Sequence, residues 1–227
     1  MVKRSKKYKA SLANVKDAPV AIAEAVEALS KMPKAKFDET VQLSAKIQLD
    51  PKQANLSIRG TVRLPNGSGK KVRVLVFTEN AKQALDAGAD FAGLDDMIKK
   101  IEDGWLDFDV AVSTTSAMKS VRKAARVLGP RGLMPNPKSG TVTDDIETAV
   151  KEVKAGRVEY KMDKTGNICI VIGKRSFSNE KLVENAKAAY ASLMSVRPET
   201  LKGKYIDTLT LSATMTPGLK LNPVMGE

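Results

Sequence analysis

The apolar residues of this chain change their period twice along its length, and that change limits the available folds more than any other feature. From Thr40 to Asp50 the pattern alternates strictly. Val41, Leu43, Ala45, Ile47 and Leu49 lie on one side, and Thr40, Gln42, Ser44, Lys46 and Gln48 on the other. A period of two belongs to a strand with one face in a core and one in water. Ile58 to Leu64 gives a second, shorter strand. Val72 to Phe77 then runs almost continuously apolar, as strands do when both faces are covered. After Gly156 the alternation returns. The last strand, Thr208 to Met215, sets Leu209, Leu211, Ala213 and Met215 inward and Thr208, Thr210, Ser212 and Thr214 outward.

Between the two alternating regions, short strands and helices follow one another. The pattern predicts strands at Val72–Phe77, Asp90–Ala92 and Phe108–Val112, and helices over Ala81–Ala87, Leu94–Asp103, Ala117–Leu128 and Asp144–Ala155. The alternating regions carry their own helices, one between Asp17 and Met32 and one capped by Ser178. Arg157–Met162 and Ile168–Ile172 flank the turn-forming Asp163-Lys164-Thr165-Gly166 and read as a hairpin. The economical topology is α/β with two domains. Residues 1–66 and 158–227 form a discontinuous terminal domain with a half-exposed sheet, and residues 67–157 form an inserted, Rossmann-like doubly wound domain, with two connecting segments as a hinge.

Gly67-Ser68-Gly69-Lys70 is similar to a phosphate-binding loop, but Leu64 and Lys71 stand where that motif needs Gly and Ser or Thr. It also leads into a strand, so it reads as a flexible linker. The chain has no histidine and one cysteine, which removes the commonest general base and the usual zinc sites. Cys169, between Ile168 and Ile170, reads as a small packed hydrophobe without a disulfide partner. Met1 to Lys9 is basic and leads into no apolar segment, and no stretch is long enough to span a bilayer. The expectation is a cytosolic protein, not an enzyme, with neither cofactor nor metal and no membrane partner.

Charge supplies the positive expectation. The chain carries a formal +12, yet residues 79–109 hold nine carboxylates against three cations, a net of −6, so the remainder carries +18. Residues 110–143 contain no carboxylate but do contain Lys119, Arg122, Lys123, Arg126, Arg131 and Lys138. A second basic group, Lys3, Arg4, Lys6, Lys7 and Lys9, forms an N-terminal arm of the kind that orders on RNA. Cations crowded in this way repel one another unless a polyanion offsets them, which points to nucleic acid. With five Phe, four Tyr and one Trp, the chain lacks the paired aromatics of a base-stacking sheet, so recognition rests on backbone, hydroxyl and shape contacts.

The most specific motif is Leu128-Gly129-Pro130-Arg131-Gly132-Leu133-Met134-Pro135-Asn136-Pro137-Lys138, a loop stiffened by three prolines directly after a basic helix. Together with Ala35-Lys36-Phe37-Asp38-Glu39-Thr40-Val41, Ile58-Arg59-Gly60-Thr61-Val62, Asp103-Gly104-Trp105, Lys154-Ala155-Gly156-Arg157 and Thr214-Met215, it resembles the L-one family of bacterial large-subunit ribosomal proteins over essentially the whole chain. That resemblance implies a monomer within the large ribosomal subunit in the cytoplasm. Its terminal domain would bind the rRNA of a mobile stalk through Lys36, Phe37, Thr40, Thr214, Met215 and Thr216. It further implies contact with exit-site tRNA, for which Arg122, Lys123, Arg126, Arg131 and Lys138 are the residues expected, and repression of its own operon mRNA. The chain departs from the family at Thr216: the family's Thr-Met-Gly-Pro is here Thr214-Met215-Thr216-Pro217, and a Cβ limits how closely backbone approaches RNA. Two other readings are a nucleotide-dependent enzyme using the inserted domain and a DNA-binding regulator.

Overall fold

A computed structural model of the chain describes residues 4–15, 18–48, 58–198 and 203–222, with Lys138 described by its backbone alone. The fold is mixed α/β. The chain divides into two compact units, Met1–Gly69 with Val158–Glu227, and Lys70–Arg157. Lys3, Lys16, and Leu49 and Asp50 at the end of the first expected strand lie outside the described residues.

The first unit contains α1 (Lys6–Leu12), α2 (Ile22–Lys31), β1 (Thr40–Ile47) and β2 (Arg59–Arg63). After the excursion into the second unit it continues with β6 (Arg157–Lys161), β7 (Asn167–Lys174), α8 (Asn179–Ser195), β8 (Ile206–Ala213) and β9 (Leu219–Leu221). Four strands form an antiparallel sheet in the order β7-β1-β8-β9. Its inward residues, among them Val41, Leu43, Ile168, Ile170, Leu209 and Leu211, pack in one core with Val26 and Leu29 of α2 and Leu182, Ala186 and Leu193 of α8. The period-two pattern therefore has its expected cause: helices cover one face of the sheet, and polar side chains line the other.

The expected hairpin does not form, because β6 pairs with β2 in a separate two-stranded sheet while β7 pairs with β1. The turn between them is closed by Asp163, whose Oδ1 accepts from the backbone N–H groups of Thr165 and Asn167 at 2.9 and 2.8 Å. Local turn chemistry was legible, but the partner of each strand was not. Gly60 on β2 is required by packing, since a Cβ there would lie 2.6 Å from Tyr160 Oη on β6.

The second unit holds β3 (Val74–Phe77), α3 (Ala81–Asp86), β4 (Phe91–Gly93), α4 (Asp95–Glu102), β5 (Val110–Ser113), α5 (Met118–Val121), α6 (Ala125–Leu128) and α7 (Ile146–Lys154). Its parallel sheet has the order β4-β3-β5. Leu75 and Phe77 face a cluster containing Met97, Ile101, Val121 and Leu128, whereas Val74 and Val76 face another containing Ala84, Ile146, Val150 and Val153. The continuous apolar strand is thus covered on both sides. The basic helix expected over Ala117–Leu128 is not continuous, because a 3-10 turn at Arg122–Ala124 separates α5 from α6.

The linker up to Gly69 is held rather than flexible. Asn185 of α8 is fully buried; its Oδ1 accepts from Asn66 N–H at 3.1 Å, and its Nδ2 donates to Gly67 O at 3.0 Å and Ile172 O at 2.7 Å. Gly69 has φ +73°, and a Cβ there would meet the Phe177 ring at 2.9 Å. The far side chain responsible, Asn185, could not be read from the linker itself.

Tyr205 is 3% exposed, and its hydroxyl has no hydrogen-bond partner among the described residues. Burial, reinforced by Tyr160 and opposed by Arg197, pushes its phenol up to about 12. The folded state then keeps a proton that an unfolded tyrosine releases near ~10, so stability is fully present below ~10 and falls as pH rises from there toward about 12. We expect Tyr205→Phe to flatten that decline in denaturant melts between pH 9 and pH 11, both buffer settings, and an unchanged slope would contradict the assignment.

Candidate nucleic-acid interface

The surface carrying most of the expected contact residues begins where α2 ends. Arg175, just beyond β7, is 8% exposed, and Glu39, just before β1, is 1% exposed. The Arg175 guanidinium pairs with the Glu39 carboxylate and donates to Leu29 O at 2.7 Å, to Met32 O and to Pro33 O at 3.2 Å. It therefore satisfies carbonyls at and beyond the C-terminus of α2 that helix geometry leaves without partners. Glu39 Oε1 also accepts from Ala35 N–H at 3.1 Å, and Asp38 accepts from Ser176 N–H and Oγ at 3.1 and 2.8 Å. The segment 32–39 is consequently fixed at both ends, and it displays Lys36 and Phe37 in solvent. Phe37 is 54% exposed.

A bulge decides which of two neighbouring cations is buried and which faces out. β1 and β7 pair Gln42↔Val171 but Val41↔Gly173 and Thr40↔Lys174, so β7 contributes one extra residue there. Strict alternation after Ile172 would send Lys174 inward and Arg175 outward. The bulge reverses that phase, placing Lys174 beside Thr40 and burying Arg175 with Glu39.

At this end of the sheet three side chains interlock. Thr40 N–H donates to Thr214 Oγ1 at 3.1 Å, the Thr214 hydroxyl donates back to Thr40 O at 3.4 Å, and Lys174 Nζ donates to Thr40 Oγ1 at 2.8 Å. Met215 does not point inward as its strand phase suggests. β8 ends at Ala213, and Met215 sits in the following turn at 62% exposure. Thr216 fastens that turn, since its Oγ1 accepts from Ala213 N–H at 2.9 Å. Lys36, Phe37, Thr40, Thr214, Met215 and Thr216 thus gather at one end of the sheet. Lys174, Glu39 and Arg175 join them unannounced, because pairs 136 positions apart leave no periodic signal.

The outward sheet face continues from this end as Gln42, Ser44 and Lys46 on β1 beside Ser212, Thr210 and Thr208 on β8. Cys169 belongs to it: the thiol is exposed, opposite Ser44, and is not packed as its isoleucine neighbours suggested. Those neighbours face the core, and the strand's period turns the residue between them outward.

Of the N-terminal arm, Lys6, Lys7 and Lys9 lie on a formed helix, α1. Ser5 caps α1 by accepting from Tyr8 N–H at 3.2 Å, and Arg4 lies 5.1 Å above the Tyr8 ring. Lys7 Nζ donates to Lys34 O at 3.1 Å, which ties α1 to the segment bearing Lys36, while Lys6 and Lys9 remain exposed. The acid-free group lies in the other unit. Ala117, Val121, Ala124 and Leu128 are buried, and Lys119, Arg122, Lys123, Arg126 and Arg131 are exposed, with no ion pair to any of the five among the described residues. The side chain of Lys138 lies outside the described residues. The proline loop is closed by Asn136 N–H to Thr141 Oγ1 at 2.8 Å and by Arg157 donating to Ser139 O at 2.7 Å, so Arg157 has a structural task.

Residues 29–217 match the family model described as the ribosomal protein L1p/L10e family. The chain belongs to that family. It is also 52% identical to the large ribosomal subunit protein uL1 of Persephonella marina, over 98% of this chain and 95% of the relative. The matched span contains the Lys36–Thr40 segment, the proline loop and the Thr214–Thr216 turn. A member of this family is a structural ribosomal protein and not an enzyme, which sets aside the nucleotide-dependent reading.

Removing one partner of a buried ion pair leaves the other charge uncompensated, at a cost of about 3–5 kcal/mol. Arg175→Met is therefore expected to lower unfolding free energy by roughly that amount, and joint replacement of Arg175 and Glu39 by Met and Leu to cost less than either single change. Equilibrium urea unfolding of the three variants tests this; additive losses would refute it.

Proposed function

We propose that this chain grips large-subunit rRNA with the exposed end of its four-stranded sheet, within a mobile stalk, as a monomer in the cytoplasmic ribosome. The observation that carries the reading is the pair of solvent-exposed apolar side chains, Phe37 and Met215, beside the interlocked Thr40 and Thr214. Large apolar groups held in water by a rigid frame suit a partner that covers them. Hydroxyls between them suit ribose and backbone groups, and Lys36 with the α1 cations suits phosphate. Thr216 stands where a glycine would permit closer approach, and the RNA backbone accordingly lies outside its Cβ.

The second unit, read as a small Rossmann-like doubly wound domain, carries the weaker contact. Its cations Arg122, Lys123, Arg126 and Arg131 fit the backbone of exit-site tRNA, and the rRNA grip serves equally for a stalk-like fold in the chain's own operon mRNA.

Two measurements test this division. Deleting residues 70–157 and joining Gly69 to Val158 is expected to keep rRNA affinity within about tenfold, ~1.4 kcal/mol, in a variant shown by its melt to be folded; a larger loss refutes the assignment to the terminal unit. Changing Arg122, Lys123, Arg126 and Arg131 to Gln is expected to spare rRNA binding and weaken tRNA contact on ribosomes. Equal loss of both would merge the two surfaces into one.

A further inference from the structure

Hydrogen-bond direction at the sheet end is dictated by chemistry. A lysine ammonium has three donors and no acceptor, so the 2.8 Å contact from Lys174 Nζ obliges Thr40 Oγ1 to accept. The hydroxyl hydrogen of Thr40 is then free to be donated elsewhere. A backbone N–H likewise only donates, so Thr214 Oγ1 accepts from Thr40, and its own hydrogen is directed at Thr40 O. What Thr214 has left is a lone pair. Thr214 can therefore only accept, whereas Thr40 keeps its hydrogen to donate, turned away from Lys174, next to the register pair Val41↔Ala213.

Thr214 lies one residue past the end of β8, and its Oγ1 sits 3.1 Å from Thr40 N, which leaves the two hydroxyls a short gap apart. A single oxygen making two O–H···O bonds of about 2.7–2.8 Å spans a comparable gap. A phosphate oxygen satisfies Thr40 but meets the lone pair of Thr214. A ribose 2′-hydroxyl accepts from one and donates to the other. We propose, resting on the rRNA grip above, that Lys174 is a positioning residue that sets the polarity of Thr40, so that Thr40 and Thr214 together read one ribose 2′-hydroxyl. Lys174 is itself oriented by a second, longer bond to Asp38 O at 3.5 Å, while the Asp38 carboxylate is occupied by Ser176. The bulge on β7 makes this possible by turning Lys174 to the outer face.

The test uses the full chain and the minimal fragment of its large-subunit rRNA that it protects from nucleases, synthesised with one 2′-deoxy substitution at a time. One nucleotide is expected to lose on the order of tenfold in affinity when its 2′-hydroxyl is removed. In Lys174→Met that sensitivity is expected to vanish, as it does in Thr40→Val and Thr214→Val. Lys174→Arg, which keeps an N–H donor, retains it. Thermal melts of each variant separate loss of fold from loss of contact. If Lys174→Met weakens every substituted RNA equally and flattens the salt dependence by about one unit, Lys174 is a phosphate contact and the proposal is overturned. It is overturned as well if no nucleotide shows a sensitivity that Lys174→Met removes. Failure of Thr40→Val and Thr214→Val to change affinity at all would instead overturn the rRNA grip itself.

Discussion

The ion pair between Arg175 and Glu39 is the constraint on which the sheet end depends. Two ionised groups taken almost wholly out of water are costly to bury, and hydrogen bonds to most of their remaining donors and acceptors offset that cost, with Arg175 Nε alone of the guanidinium nitrogens finding no partner among the described residues. Here the partners are the carbonyls of Leu29, Met32 and Pro33 and the amide of Ala35. The cost of burying the pair is offset by ending a helix, fixing a loop and joining β1 to β7 at a single place. Phe37 stays in solvent because the chain on either side of it is already committed. A hydrophobic loop held in this way does not collapse onto the core when its partner is absent, which keeps low the ordering cost that binding otherwise incurs.

Charge acts on a longer scale. The acidic stretch 79–109 and the basic stretch 110–143 both belong to the second unit, so this unit carries charges of both signs instead of acting as a uniformly basic body. Some of the carboxylates serve packing. Asp109 accepts from Lys70 and from Arg73 N–H, and Asp90 accepts from Val74 N–H, which holds each carboxyl below its usual range. Among the described residues the exposed cations Lys119, Arg122, Lys123 and Arg126 make no such ion pair, and this contrast separates surface that stabilises the unit from surface available to a polyanion.

Much of the fold was legible because it follows from periodicity. The alternation at Thr40–Ile47 and Ile206–Ala213 and the unbroken run at Val74–Phe77 each state how many faces are buried. The strand–helix succession of the second unit was placed to within a few residues. Failures came where a long-range partner decides the outcome. β6 and β7 flank a good turn but pair with β2 and β1. β9 is three residues long, too short to announce itself. Cys169 sits between two core isoleucines, and only the strand's phase turns it to the outer face. In the candidate site, resemblance and strand phase agree on Phe37, Thr40 and Thr214, whereas Lys36 follows from resemblance and its charge, and Met215 from resemblance alone, against a strand phase that points it inward. Lys174 and Arg175 follow from neither, since their sides are set by a bulge that no local pattern reveals.

The sheet order β7-β1-β8-β9 also has a consequence for the birth of the protein. β1 is complete at residue 47, yet both of its neighbours come from the last third of the chain. Until β7 and β8 leave the ribosome that makes them, β1 has two open edges and a bare apolar face, whereas the second unit has all its strands and helices by residue 157. Domains fold largely as they emerge, and contacts distant in sequence form last. The interior of the chain therefore becomes native before its beginning does. The Thr40–Thr214 junction needs residue 214 to be in place, so a nascent chain cannot take hold of RNA with this surface until β8 and the turn after it have been made.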